Sequence, residues 1–293
     1  MPDSKRRAQN PVSIAAAPLN RLVGKRYYDL SSTIEVMRQL YQASAADGFE
    51  LQNLAEWDAR TPPRDEGERR LAAWQASEKH TGDELAEALR ETDLPILSVH
   101  ANRDVGICLS SDQPQDIDRG KTLIRESLSL AESLGAGVCV FHLWDTWKER
   151  FDPSLLRAVI AETAPQYPGV KAAIENVPTH LQGYTPLELV RKFEWITLDL
   201  RWAGLYDELD GFGTLVDRLA NVHLSGQLAG DRWTVSTRWF RGGQRTFEFR
   251  DALDIIQAEW HYLGPLTVEI YGQPQDTWQG LVAAMVNLRH GTS

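Results

Sequence analysis

The chain has 293 residues, 42% of them hydrophobic and 25% charged, with a formal net charge of -10. This composition supplies apolar material for a large core. It disfavours non-specific attachment to nucleic acid or to an anionic membrane, since both repel an acidic protein. Cys108 and Cys139 are the only cysteines. They make no disulfide framework, and neither has a thiol partner at metal-binding spacing, so a reducing, cytoplasmic setting is expected. No segment approaches the ~18 consecutive apolar residues that suggest a membrane span.

Residues 1–10 are polar and basic and lack the apolar stretch of a signal peptide; they read as a flexible lead-in. From there one pattern recurs, a short apolar run followed by a helical stretch. Val12–Ala16 is the first apolar run, followed by a helix over Ser32–Ala46 and a second run at Gly48–Gln52. An insertion over 56–79, rich in Arg, Glu and Pro, follows that strand and precedes the run Pro95–His100. Asp116–Leu134 carries apolar residues at helical spacing and stops at Gly135, a good terminator. Runs at Val138–Leu143, Val170–Asn176 and Trp195–Asp199 alternate with helices over Pro153–Ala164 and Thr185–Phe193. The last runs are Asn221–Leu224 and Leu266–Ile270, with helices over Phe249–Trp260 and Asp276–Leu288. A Gly-, Arg- and Trp-rich segment over 225–246 reads as a long loop between those runs.

Strands alternating with helices imply parallel pairing and right-handed crossovers. Eight such units close most naturally into a (β/α)8 TIM barrel, and no linker divides the chain, so 1–293 is expected to be one domain. An open doubly wound sheet is the alternative, but its usual Gly-rich first turn is missing. Loops that follow strands lie on the catalytic face of a barrel, which places both the 56–79 and 225–246 segments there.

Side chains alternate between the faces of a strand. With the apolar parity turned toward the helices, the inward positions are Glu50, Gln52, His100, His142, Glu175, Thr197, Asp199, His223, Thr267 and Glu269. In strand after strand the inward residue near the C-terminal end is ionisable. Burying such groups without partners costs several kcal/mol each, a penalty that solvent at the rim reduces and a cation largely removes. Two glutamates, an aspartate and a histidine form an oxygen-rich set suited to one divalent ion: Mn, Mg, Co, Fe or Zn. Four protein ligands on a six-coordinate ion leave two positions for substrate oxygens.

The segments A-I-E-N at 173–176, T-L-D at 197–199, V-H-L at 222–224 and T-V-E at 267–269 resemble the metal-binding strand ends of xylose isomerase-like barrels. G-F-E-L at 48–51, S-V-H-A at 98–101 and S-L-G-A at 133–136 add to the likeness. That superfamily includes sugar and sugar-phosphate isomerases and epimerases, inosose dehydratases and the endonuclease IV type of nuclease. The resemblance implies that Glu175, Asp199, His223 and Glu269 bind the metal and that Glu175 and Glu269 also move protons. It implies an isomerase or epimerase acting on a sugar, sugar phosphate or related hydroxy-keto compound through an enediolate. A dehydratase of the inosose type on the same site and a non-catalytic barrel that binds its ligand are the alternatives.

Two departures stand out. Trp202 lies where many members carry a histidine, and Ser225 and Gly226 lie where many carry an acidic residue. A multi-zinc nuclease needs more histidines than this site supplies. His100, His142, Glu50, Trp144, Trp202 and Arg232 are candidates for contacts to a small sugar or polyol. Glu50 could equally form part of the wall, and His100 and His142 could be core or supporting groups. Trp147, Trp233 and Trp239 could form apolar platforms or pack as ordinary loop residues. Arg238 and Arg241 could join Arg232 in holding an anion or could pair with surface carboxylates. A homo-oligomer is open, but no apolar helix face singles itself out.

Overall fold

The computed structural model describes residues 10–17, 19, 22, 24, 29–64, 68–230, 232–236, 246–247, 249–270 and 277–290. Among them, eight parallel strands form a closed barrel with helices outside it. In chain order these are β1 (Val12–Ala15), β2 (Gly48–Gln52), β3 (Ile96–His100), β4 (Val138–Phe141), β5 (Lys171–Glu175), β6 (Trp195–Asp199), β7 (Leu219–Ala229) and, after a hairpin, β10 (Leu266–Ile270). Each strand pairs with the next in parallel, and β10 closes the ring by pairing with both β1 and β7. This is a (β/α)8 barrel, and the first strand lacks the glycine-rich turn of an open nucleotide-binding sheet.

The local causes are legible in the helices. α1 (Leu30–Gln42) buries Leu30, Val36, Met37 and Leu40 on one stripe, and the Asp29 side chain accepts a hydrogen bond from the Ser32 N–H at its start. α5 (Pro114–Ser133) opens with a proline, whose missing N–H would be unpaired there anyway. It ends where Gly135 adopts φ +68°, with Gly135 N–H and Ala136 N–H donating to the Glu132 and Ala131 carbonyls. The helix expected from Thr185 runs Pro186–Val190, with Thr185 and Glu188 forming a reciprocal cap.

The long loop expected over 225–246 is a partial correction. β7 continues to Ala229 and turns at Gly230 (φ +68°) into β8 (Arg232–Ser236), an antiparallel pairing that aligns Leu228 with Trp233; β9 (Thr246–Phe247) then pairs with β8. The apolar alternation of β7 does not stop at Leu224, because Leu228 is also buried. Residues 237–245, which include Trp239, Arg238 and Arg241, lie outside the described residues, as does the lead-in before residue 10. The insertion after β2 holds a short 3-10 turn (Ala55–Trp57) and α2 (Glu68–Ala76), followed by α3 (Gly82–Arg90). Among the described residues, no helix is long and apolar enough to cross a membrane.

The interior of the barrel has two characters. A small apolar group, Val138, Val140, Ala173 and Ala220, fills one side. On the other, a buried polar chain runs from Ser13 to Thr267 (2.7 Å), from Thr267 to Asn221 (2.9 Å) and from Asn221 to Glu50 (3.1 Å). That chain supports the site above it.

Candidate metal centre

Strands β5, β6, β7 and β10 bring four ionisable side chains together at the barrel's C-terminal end. Glu175 closes β5, Asp199 closes β6, and His223 and Glu269 lie on the adjacent strands β7 and β10. Glu175, Asp199 and His223 offer ligand atoms within 4.8 Å of one another, as do Glu50, His223 and Glu269. The inward parity expected for these residues is the parity observed.

Each member is held by its neighbours. Asp199 ends its strand and starts α8 (Leu200–Tyr206), so its Oδ1 accepts from the Trp202 backbone N–H at 3.0 Å. Asn176 clamps the same residue, donating to the Asp199 carbonyl at 3.1 Å and accepting from the Asp199 N–H at 2.6 Å. Ser225, noted above as a departure, lies between two carboxylates: its Oγ is 2.5 Å from Asp199 Oδ2 and 2.6 Å from Glu269 Oε2. One hydroxyl proton cannot serve both oxygens. Burial first, and then the charges of Glu175 and Glu269, push Asp199 up to about 7.

Of the two readings open for Glu50, part of the wall or a substrate contact, its burial favours the first. It is fully buried below His223, and its Oε2 accepts from Ser98 Oγ (2.8 Å), Asn221 Nδ2 (3.1 Å) and His223 Nε2 (3.2 Å). A carboxylate at Nε2 makes that nitrogen the donor and leaves Nδ1 as the free ligating atom. Nδ1 is itself buried and has no hydrogen-bond partner. It lies 3.4 Å from Glu175 Oε2 and 3.5 Å from Glu269 Oε1, beyond the ~2.7–2.9 Å of a charge-assisted bond. Two donors 2.0–2.1 Å from one ion at a tetrahedral angle lie about 3.4 Å apart. A buried, unpartnered imidazole nitrogen facing two carboxylates at that spacing fits a divalent cation.

Burial would keep His223 neutral, but Glu50, Glu269 and Glu175 overcome it and raise its pKa well above the usual value. His100 is raised to about 9 against the same burial, chiefly by its bond to Glu175. Glu175, despite burial, is held well below the usual carboxylate range by His142, His223 and His100.

The remaining candidates divide. His100 and His142 do join the cluster, with Nε2 atoms 3.4 and 3.1 Å from Glu175 Oε2. Trp144 is buried and donates its indole N–H to the Pro178 carbonyl at 3.0 Å, so its polar edge is used in packing. Trp202 packs on the core's edge under the Arg201 guanidinium, 4.5 Å from its ring centre. Trp147 is exposed and stacks on His180. Arg232 and Trp233 lie in β8, where the backbone alone is described. A separate cavity of about 510 Å³ sits under the insertion, lined by Asp58, Arg60, Lys79, His80, Glu126 and others, and contains none of the cluster.

Sequence reasoning missed Ser225, Asn221 and Ser98 as members of this network. Their only signal was position: each has the inward parity of its strand, directly beside an ionisable group.

No family model matches the chain, and no curated protein matches it by sequence. Solved structures do match its fold. A sugar phosphate isomerase/epimerase from Parabacteroides distasonis aligns with a TM-score of 0.63 at 14% identity, covering 98% of each chain. The 3-keto-D-glucoside 4-epimerase of E. coli aligns at 0.62 and 14% identity, covering 96% of this chain and all (100%) of its own. A D-allulose 3-epimerase from Methylomonas sp. aligns at 0.63 and 14% identity, covering 98% of each chain. At this identity the likeness establishes the fold, and the chemistry has to come from the site.

Proposed function

We propose that the chain is a metal-dependent sugar isomerase or epimerase that works by proton transfer through an enediolate. The observation that carries this reading is the unpartnered Nδ1 of His223 among Glu175, Asp199 and Glu269. These four residues would hold one divalent ion. When bound, the ion supplies Lewis-acid stabilisation for the negative charge that develops on a substrate oxygen as a neighbouring C–H proton leaves. The names of the similar structures, all of which act on sugars or are described as sugar phosphate enzymes, support the substrate class.

The protein's own groups account for the proton traffic. Glu269 is the accessible carboxylate, with 20% of its side chain exposed against 2% for Glu175. One of the two takes the proton, and the other, or the same one, returns it. Return to the opposite face of the carbon gives an epimer, and return to the neighbouring carbon gives the isomer. Ser225 steadies Glu269 from the side, while Glu50, itself held by the Asn221 amide, fixes the imidazole of His223 from below. His142, half-exposed at the rim, is placed to meet a substrate hydroxyl.

The test is to incubate the Mn²⁺-loaded protein in D₂O with a panel of ketohexoses, ketopentoses and keto-polyols, and to follow products by NMR and mass spectrometry. Deuterium at the carbon beside the carbonyl, with an isomeric or epimeric product, is expected. A product lighter by one water would reassign the site to dehydration, which begins with the same proton removal. Binding of these compounds with no exchange at all would make the barrel a binding protein.

A further inference from the structure

Among the described residues the most exposed large apolar side chain is Trp147, at 65%. The metal centre makes no use of it. We propose that Trp147, backed by His180, is a platform for a second sugar ring, so that the substrate is a saccharide of two or more rings. This rests on the reading of the strand ends as a sugar site.

The chain sets the position. Trp147 lies five residues beyond His142, at the end of β4, and His180 lies five residues beyond Glu175, at the end of β5. These two strands are neighbours in the barrel. Loops that follow strands lie on the face that carries the ionisable cluster. Five residues span at most ~18 Å even when fully extended, a distance that a short oligosaccharide covers. The two rings meet over this side of the mouth, with centres 5.4 Å apart and planes 20° from parallel.

The loops that carry the rings are tied down. Asp145 N–H donates to Ser110 Oγ at 2.9 Å, and Trp147 N–H donates to Asp145 Oδ1 at 2.9 Å, which closes a tight turn under the indole. α4 (Asp104–Leu109) presses on the same backbone: a Cβ at Gly106 would lie 2.5 Å from the Trp144 carbonyl oxygen. The Trp144 indole N–H joins this loop to the next through the Pro178 carbonyl. His180 Nδ1–H donates to the Thr146 carbonyl at 2.6 Å, which fixes the plane of the imidazole against Trp147. An exposed aromatic held in one orientation before binding gives up little freedom when a ligand arrives.

The chemistry of the pair selects the ligand. A sugar ring has a face of C–H groups edged by hydroxyls. The C–H groups pack on the electron-rich face of an indole, and the hydroxyls need acceptors at its edge. Asp145, in the same turn, supplies one. Its Oδ1 is engaged by the Trp147 N–H, and its Oδ2 has no hydrogen-bond partner among the described residues. A purely apolar ligand would make no use of that oxygen. His142 lies between the platform and Glu175 and is partly open to solvent. The reacting ring would meet His142, and the second ring would lie outward on Trp147.

The experiment is a calorimetric titration of the Mn²⁺-loaded full-length protein with fructose and with the disaccharides maltulose, isomaltulose and lactulose, each of which joins a second ring to fructose. Wild type, Trp147→Ala and Trp147→Phe are compared, and circular dichroism checks that both variants fold. At least one disaccharide is expected to bind wild type about tenfold tighter than fructose does, the gain from one aromatic stacking contact. Trp147→Ala should remove most of that ratio, and Trp147→Phe should keep part of it. Equal binding of fructose and the disaccharides in wild type, or a ratio unchanged in Trp147→Ala, overturns the platform; deuterium exchange into fructose in D₂O then upholds the metal-site reading without it. A ratio that depends on Trp147 with no C–H exchange keeps the platform and removes the enzyme. No binding of any of these sugars overturns both. Sedimentation of wild type and Trp147→Ala covers one other occupant: a dimer that dissociates in the variant would assign the indole to a contact between copies of the chain and overturn the platform as well.

Discussion

Two regions of this molecule are dense in carboxylates, and they handle the charge in opposite ways. Around the insertion, carboxylates meet guanidinium groups. Arg60 reaches Asp58 at 2.9 Å and Glu126 at 2.6 Å, Arg103 reaches Glu56 at 2.5 Å, and Arg64 pairs with Asp116. Asp58 stays below the usual range because its bonds to Arg60 outweigh the effect of partial burial. At the strand ends, the ion-pair partners of Glu50, Glu175 and Glu269 among the described residues are imidazoles, which are neutral unless protonated. The first cluster carries its own guanidinium countercharges, while Glu56 Oε2 and Asp104 Oδ1 stay buried without a hydrogen-bond partner. The second is complete only with added protons or a cation, and that difference marks it as the functional one.

The contrast can be broken by mutation, beginning with the largest effect. Glu269→Gln is expected to slow solvent exchange of the substrate C–H by about 10²–10⁴-fold, the usual contribution of a positioned base, measured by NMR in D₂O. An exchange rate within threefold of wild type would remove Glu269 from the chemistry. Chelation comes next. An ion present at 100 times its Kd stabilises by about 2.7 kcal/mol, so stripping it should lower Tm by several degrees in differential scanning calorimetry, with recovery on adding Mn²⁺. A melting temperature indifferent to chelator would place the strand-end charges in the same self-sufficient class as the insertion.

Glu50→Gln should leave the ligands in place while replacing a charged acceptor by a neutral amide behind His223. Its expected effect is a roughly 10–100-fold loss of metal affinity, the range for outer-shell partners, read by calorimetric titration. An unchanged affinity would reduce Glu50 to packing. Smallest of all, Arg60→Ala removes a guanidinium with 58% of its side chain exposed. It should cost no more than ~1 kcal/mol in urea unfolding and leave metal binding alone.

Much of this was legible before the structure. The parity of T-L-D, V-H-L and T-V-E pointed Asp199, His223 and Glu269 inward, because one-sided burial fixes strand register. Neutral polar residues were harder. Ser98, Asn221 and Thr267 look unremarkable in a strand, and only the closed ring, which sets β2 across from β7, turns them into one chain ending at Glu50. Glu50 carried the inward parity, which left wall and substrate contact equally open, since parity gives the face and not the depth. Ser225 looked like a loss relative to acidic residues in similar barrels, yet it bridges Asp199 and Glu269. Trp144 follows a strand end, as a substrate platform would, but its depth in the core was invisible in one dimension.

The central claim is that these strand ends bind a divalent ion through Glu175, Asp199, His223 and Glu269. Its most direct test is equilibrium binding of Mn²⁺, followed by the electron paramagnetic resonance of the free ion, for wild type and Glu269→Ala. A saturable site in wild type, weakened at least about tenfold in a variant of unchanged circular dichroism, is the result predicted for a lost first-sphere ligand. No saturable site in wild type, or equal affinity in both proteins, would contradict it.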